Sequence, residues 1–548
     1  MNEHVLALVS LVSPIAFVTT AIVSWFQPGM RPEFMKGIST LTTVVSIIVA
    51  TVCAYLVFVN GLLETSLLIG MNQIGFSIRL DPLSVLMLSM ISLIGFIVVK
   101  FSLNYLDGDK RQGIFIGRLA ATIASVQLLV LSGNLGLLFA SWVLTSVSLH
   151  RLLVFYPERP GAIVVARKKF IVARLGDSCL LGAMVVLYSI FKSGNLEVIF
   201  QAIKLSMDSD IGIVNIEYAA ILLVFAALLK SAQFPSHGWL IEVMETPTPV
   251  SALLHAGLLN AGPFLIVRMA YVMEVSMYSS YILIIVGGFT ALFASVVFLT
   301  QTSVKTALGY SSVAHMGFSL LVCGLGLYPA AMLHLVAHSF YKAHAFLSSG
   351  SLIEVIRTSP ISKHKRTGNP FNIVLGIVLA MCVYIGFALL WGIDFKNQLS
   401  LFAIGAIIVM GLSTLFASAL DSNGSYKLML KASLLAIVVA ALFFTLESGM
   451  HNLLNVGLPQ LRILSTGEMI LVSLITFIFA AVVFMQLISP RISSSLFIRS
   501  VTLHLRNGLY VNSLFDRLVG ALKIHLRPLH IEILDNNKIS NQGQSVEV

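Results

Sequence analysis

Charge is what this sequence has least of. Only 11% of its 548 residues are Asp, Glu, Lys or Arg, against roughly 25% in a soluble domain. Hydrophobic residues make up 57%, and the mean hydropathy is +0.94. So apolar a chain would expose too much hydrocarbon to water, which excludes a soluble globular protein. Cysteine is also scarce. Cys53, Cys179, Cys323 and Cys382 stand singly in apolar segments, without a CxxC pair or metal-ligand spacing. Neither a disulfide framework nor a zinc site is expected, and the thiols read as small hydrophobes. No GxxxxGKS or GxxxxGKT loop occurs, no GxGxxG follows a strand, and no Ser/His/Asp order is legible. Nucleotide-driven transport by this chain alone is therefore not expected. The leader Met1-Asn2-Glu3-His4 holds no Lys or Arg, so the run from Leu6 to Trp25 is expected to be a span and not a signal peptide.

What is present is a succession of uncharged runs, many reaching the roughly 20 residues that cross a bilayer as a helix. Inside lipid every backbone N–H and C=O must be paired, which allows helices or a closed barrel. Long Leu/Ile/Val/Ala runs without alternation select helices. The expected fold is an all-α polytopic membrane protein of about 15 transmembrane helices. They begin near Leu6, Ile38, Leu83, Leu119, Leu135, Ile171, Tyr218, Val250, Tyr281, Thr306, Ala330, Phe371, Leu399, Leu428 and Met469.

Basic residues gather after odd-numbered spans. Arg31 and Lys36 follow the first, and Lys110, Arg111 and Arg118 the third. Arg159, Arg167, Lys168, Lys169 and Arg174 follow the fifth, the first four ahead of the sixth span's expected start, Lys305 follows the ninth, and Arg357, Lys363, Lys365 and Arg366 follow the eleventh. Loops after even spans are poor in Lys and Arg or balance them with acid, as in Lys204, Asp208, Asp210 and Glu217. The positive-inside rule then puts the N-terminus outside and the C-terminus inside, in the cytoplasm. That asymmetry accounts for the net charge of +10 without nucleic acid.

A transmembrane bundle is expected over 1–490 and a cytoplasmic segment over 491–548. In the latter, Leu514, Leu518, Leu522 and Leu526 recur every four residues beside Val511 and Phe515, with Asp516, Lys523 and Arg527 opposite. This is an amphipathic helix, suited to lipid headgroups or to a cytoplasmic partner. From about Asn536 the chain is polar and expected to be disordered.

An ionised side chain at a helix centre costs roughly 2.5–3.5 kcal/mol on insertion scales, so buried ionisable groups are candidate functional sites. The densest group is HLVAHSFYKAHAFLSSGS (334–351). There His334, His338 and Lys342 recur at i, i+4 and i+8 and stack on one helix face, about 6 Å apart. Imidazole donates and accepts at once, so the stripe suits proton relay; histidines that merely bond neighbouring helices are the plainer reading. His344 lies off the stripe. A second cluster is LKSAQFPSHGWLIEVMETPTPVSALLHAG (229–257). Lys230 ends an apolar run, and Pro235 cannot continue a helix without freeing a carbonyl; such broken helices line cavities in transporters. Pro247 and Pro249 start the next span, with His255 about two turns inside. Glu242 and Glu245 stand at the break as candidate partners of Lys230 or His237, unless they lie at the membrane surface. Asp177, in ARLGDS (173–178), is positioned to pair with Lys230 or to cap the sixth span.

These stretches, with LDPLSVLMLSM (80–90), PTPVSALLHAG (247–257) and GYSSVAHMGF (309–318), resemble the antiporter-like subunits of complex I and the Mrp cation/proton antiporters. The resemblance covers most of residues 75–355, with a weaker echo in NGLYVNSLFDRLVG (507–520). It implies two inverted five-helix repeats, each with a broken helix, around a hydrated proton path. It places the broken-helix lysine at Lys230, the following histidine at His255, the relay at His334, His338 and Lys342, and an acidic neighbour at Asp177. Two departures stand out. The complex I subunits carry a glutamate directly after a Trp in the fifth span, whereas SWVLTSVSLHRLL (141–153) has no carboxylate. A second broken-helix lysine has only Lys396, in LLWGIDFKNQLS (389–400), as a substitute. The long lateral helix of the largest complex I subunit is not expected.

SLHRLLVFYPERPGA and SHGWLIEVMETPTPVSALLHAG bring the chain nearest the DabB (MpsA) family, the membrane subunits of two-component inorganic carbon accumulation systems in bacteria. That resemblance implies a hetero-complex with a DabA-like cytoplasmic zinc protein similar to carbonic anhydrase. This chain would carry no cofactor and would conduct H⁺ or Na⁺ without being an enzyme. The alternatives are a subunit of an NADH–quinone oxidoreductase, an Mrp-type antiporter, or a non-conducting anchor.

Overall fold

The computed structural model describes residues 3–209, 212–243, 246–350, 368–392, 399–421, 426–462, 464–492 and 496–521. Helices dominate because each apolar run satisfies its own backbone. In chain order they are α1 (His4–Val23) and α2 (Glu33–Asn60), then α3 (Pro82–Tyr105), α4 (Gln112–Val130), α5 (Leu135–Leu153) and α6 (Pro160–Phe191). The short α7 (Leu196–Asp208) and α8 (Ile216–Lys230) precede a break, a one-turn α9 (Gly238–Glu242), and α10 (Thr248–Arg268). There follow α11 (Met277–Phe298), α12 (Val304–Gly324), α13 (Tyr328–Leu347), α14 (Pro370–Leu390), α15 (Leu399–Asp421), α16 (Tyr426–Leu454) and α17 (Thr466–Ile492). The tail helices are α18 (Leu496–Arg506) and α19 (Val511–Ala521).

Among the described residues, 12 helices are long and apolar enough to cross a membrane. The expected starts at Tyr218, Ala330 and Leu399 fall in α8, which is shorter than those twelve, in α13, which is more polar, and in α15, which carries the apolar stretch Ile404–Leu420. One expectation is overturned. Arg167, Lys168 and Lys169 do not lie in a loop ahead of the sixth span but inside α6. At 1.5 Å per residue its 32 residues span about 48 Å, well beyond the roughly 30 Å of hydrocarbon. The helix therefore continues past the apolar slab and carries the basic run with it.

The loops fall on two faces. One holds two small antiparallel sheets between α2 and α3. β1 (Leu63–Glu64) pairs with β4 (Arg79–Leu80), and β2 (Ile69–Met71) with β3 (Ile74–Phe76). At this hairpin face a buried charge cluster ties three helices together. Asp81 caps α3, accepting from Ser84 N at 2.8 Å, and pairs with Arg79 at 2.9 Å and Arg268 at 2.5 Å; Arg79 also reaches Glu197 on α7 at 2.6 Å. The opposite, tail face carries α18, α19 and the break after α8. Within the bundle, glycines set the closest crossings. A Cβ on Gly317 of α12 would lie 2.7 Å from Ala291 N of α11, and one on Gly262 of α10 would lie 2.6 Å from Ala227 O of α8.

Candidate functional site

The break after α8 follows from Pro235, which has no N–H to donate, and from Ala232, held at φ 52°. It leaves Lys230 in the last turn of α8, aimed at α5. The Lys230 Nζ donates to Trp142 O at 3.1 Å, Thr145 Oγ1 at 3.0 Å and Ser146 Oγ at 2.8 Å, which uses all three ammonium hydrogens. It also sits 4.3 Å from the centroid of the Trp142 ring, on whose face a cation is stabilised. Neutral acceptors therefore stand where the complex I pattern puts a glutamate.

Ser146 serves a second lysine. Its carbonyl accepts from Lys169 Nζ at 2.7 Å, and Lys169, with 5% of its surface exposed, was expected in a loop. Lys230, Lys169, Thr145 and Ser146 line a cavity of about 20 Å³, enough for one water molecule. Two ammonium groups around one serine repel, so a proton on one disfavours a proton on the other.

Asp177 is 2.6 Å from Arg174, one turn earlier on α6. Among the described residues no carboxylate lies within 4.0 Å of Lys230. Glu242 is likewise taken by another partner: it bonds Lys168 at 2.6 Å and also Asn512 of the tail. His237 is buried against Phe234, Phe293 and Tyr310, away from the α5 hydroxyls. Glu245 and Lys396 lie outside the described residues.

Lys168 further pairs with Asp516. The tail helix thus turns Asp516, expected on its outward polar face, onto the bundle, because a buried ammonium draws it there. Leu514 is left 60% exposed. Removing the ion pair should free this helix. With Asp516→Asn, limited proteolysis from the tail face should cut residues 496–521 several-fold faster; an unchanged digestion rate would mean that the pair does not hold the tail.

The expected ladder is on one helix. His338 and Lys342 are buried, Lys342 completely, and Lys342 Nζ donates to Leu308 O of α12 at 3.1 Å. Sequence reading missed a member. His315 of α12, inside the GYSSVAHMGF motif, places its Nδ1 3.2 Å from Nε2 of His334 and its ring 4.8 Å from that of His338. Packing of α12 beside α13 joins this histidine to the stripe. His255 lies in a π-helical turn, Leu254–Leu258, of a kind frequent at functional sites. It stacks on Phe346 of α13 with centroids 4.3 Å apart. Its neighbours Leu254 and Leu258 line the Lys230 cavity, so His255 stands between the two clusters. Asn260 ties α10 to α13 through Ser339 Oγ at 2.7 Å. Neither ring nitrogen of His255 or His338 meets a protein partner among the described residues.

Comparison with known proteins gives the family and the fold. Residues 132–393 match the family model described as NADH:quinone oxidoreductase/Mrp antiporter, transmembrane, and residues 67–116 match the N-terminus of complex I chain 5. A Halothiobacillus neapolitanus protein named "Probable inorganic carbon transporter subunit DabB2" is 36% identical over 466 residues, covering 83% of this chain and 82% of that one. A Hydrogenovibrio crunogenus protein named "Probable inorganic carbon transporter subunit DabB" is 39% identical over 342 residues, 62% of this chain and 65% of its own length. In structure, a chain of the Mrp complex from a Dietzia species superposes with a TM-score of 0.65 at 22% identity, over 94% of this chain and 59% of that one. At that identity the likeness is one of fold.

Proposed function

This chain belongs to the DabB family of inorganic carbon transporter subunits, among the NADH:quinone oxidoreductase and Mrp antiporter membrane proteins, and on that premise we propose that it conducts protons to energise carbon uptake. The observation that carries the reading is the run of titratable groups through an apolar bundle. Lys169 and Lys230 share Ser146, His255 lies between them and Lys342, and His338, His315 and His334 continue beyond. Buried imidazole nitrogens without protein partners are the kind that internal water or a moving proton satisfies. No counter-charge in contact with Lys230 locks its proton in place, so the lysine can load and unload. Na⁺ is the other candidate cation.

The partner in this reading is a DabA-like cytoplasmic zinc protein that hydrates CO₂ to bicarbonate. One charge crossing 100 mV releases about 2.3 kcal/mol, a factor of roughly fifty in an equilibrium constant, enough to make hydration one-way. The zinc chemistry belongs to that partner. Basic residues crowd the tail face, which supports a cytoplasmic tail, an outside N-terminus and an inner-membrane location. The tail helices then offer the partner its docking surface.

The complex should acidify the lumen of liposomes when a membrane potential, inside negative, is imposed. Affinity capture of the tagged chain should bring down the zinc protein. Quinone or Fe–S subunits in its place, or salt-sensitive growth on deletion, would favour the second reading, which the family match supports: an NADH–quinone oxidoreductase or Mrp-type subunit.

A further inference from the structure

Beyond the ladder, α13 and α16 enclose two cavities stacked one behind the other. The inner one, about 570 Å³, is walled by Leu, Ile, Phe and Ala side chains, with His315 and His334 on one side. The outer one, about 290 Å³, lies toward the hairpin face, where α13 begins and α16 ends. Ala330 lines both, and on α16 the inner cavity's Phe443 and Leu446 are followed directly by the outer cavity's Phe444 and Glu447. The two spaces are therefore adjacent along the same helices.

Glu447 is the sole acidic residue of α16. His451 stands four residues on, on the same face, and among the described residues these two are the titratable groups lining the outer cavity. Glu447 is partly buried, about 10 Å from the helix end. Among the described residues it has no Lys, Arg or His nitrogen within 4.0 Å. An unpaired carboxylate in an apolar span is costly and marks a cation route.

We propose that Glu447 and His451 form the proton-loading vestibule of the hairpin face, feeding the His315–His334 pair through the inner cavity; the proposal rests on the conduction reading above. His451, nearer the helix end, takes a proton from water on that face. It passes the proton to the Glu447 carboxylate, which releases it to water in the inner cavity and on to His334, and both groups return to their starting states. The apolar walls between them conduct only while water threads the chamber, so the chamber serves as a hydrophobic gate.

The test uses the whole complex in oriented vesicles, with acid applied from either face. Glu447→Gln should lower flux about tenfold and raise the proton concentration for half-maximal flux from the hairpin face, leaving that from the tail face unchanged. Glu447→Asp should restore most of it. Ser448→Cys, in a background lacking the native cysteines, should react with a membrane-impermeant thiol reagent from the hairpin face. Wild-type flux in Glu447→Gln, a half-maximal proton concentration shifted equally from both faces, or an unreactive Cys at 448 would overturn the vestibule alone. A wild-type complex without flux would overturn the conduction reading as well.

Discussion

Lys230→Ala should reduce proton flux by at least tenfold and abolish growth that depends on scavenging carbon at air levels of CO₂, while the complex still assembles. The loss follows because Lys230 is the ammonium on which the α5 acceptors converge. Assembly should survive because two of those acceptors bond each other and the third can be met by water. Thr145 Oγ1 already donates to Trp142 O at 2.7 Å, and Ser146, whose Oγ loses the lysine, lines the water-sized cavity. The cavity left behind adjoins one that Thr145, Ser146 and Lys169 already line. Lys230→Arg should not rescue the loss, since a guanidinium keeps its charge and its proton at any physiological pH. Liposome flux and growth curves read both variants. Wild-type growth of Lys230→Ala at air CO₂ would rule out a charge-carrying role for this lysine.

Asp81→Ala should give the largest loss of stability. It leaves the Arg79 and Arg268 guanidiniums, 5% and 3% exposed, facing each other without their shared carboxylate. Breaking a buried pair costs about 3–5 kcal/mol, and the missing N-cap of α3 adds about 1 kcal/mol. Burial by itself would push the Asp81 carboxyl up, but Arg268 and Arg79 hold it below the usual carboxylate range. Because the folded value is the lower one, the cluster's contribution is fully present above the unfolded carboxylate's value of about 4 and is lost as pH falls from there toward the folded value. Thermal unfolding in detergent should show a markedly lower midpoint and poor yield for the variant. A wild-type midpoint would mean that α3, α7 and α10 are held together by packing alone.

Different parts of the molecule were legible to different degrees. Each expected span start coincides with a helix because hydropathy is a property of one segment and needs no neighbour. The His334–His338–Lys342 stripe was legible for the same reason: helical periodicity places i, i+4 and i+8 together wherever the helix lies. Lys168 and Lys169 were misplaced because a basic run at a hydropathy minimum has the composition of a loop. Only the length of α6 and its packing beside α5 bring Lys169 to Ser146. His315 offered no pattern of its own, being a lone histidine in its helix. Asp177 and Glu242 showed their chemistry in sequence but not their partners, since a carboxylate's choice among Arg174, Lys168 and Lys230 is a matter of distance.

Local sequence therefore decided that the chain spans a membrane many times and carries titratable groups into it. Which of those groups are neighbours was decided by tertiary structure. Ser146 is shared by two lysines, and His315 joins the ladder, because the packing of α6 and α8 against α5 and of α12 against α13 sets separations of a few ångströms between segments tens of residues apart. No periodicity within one segment encodes such separations.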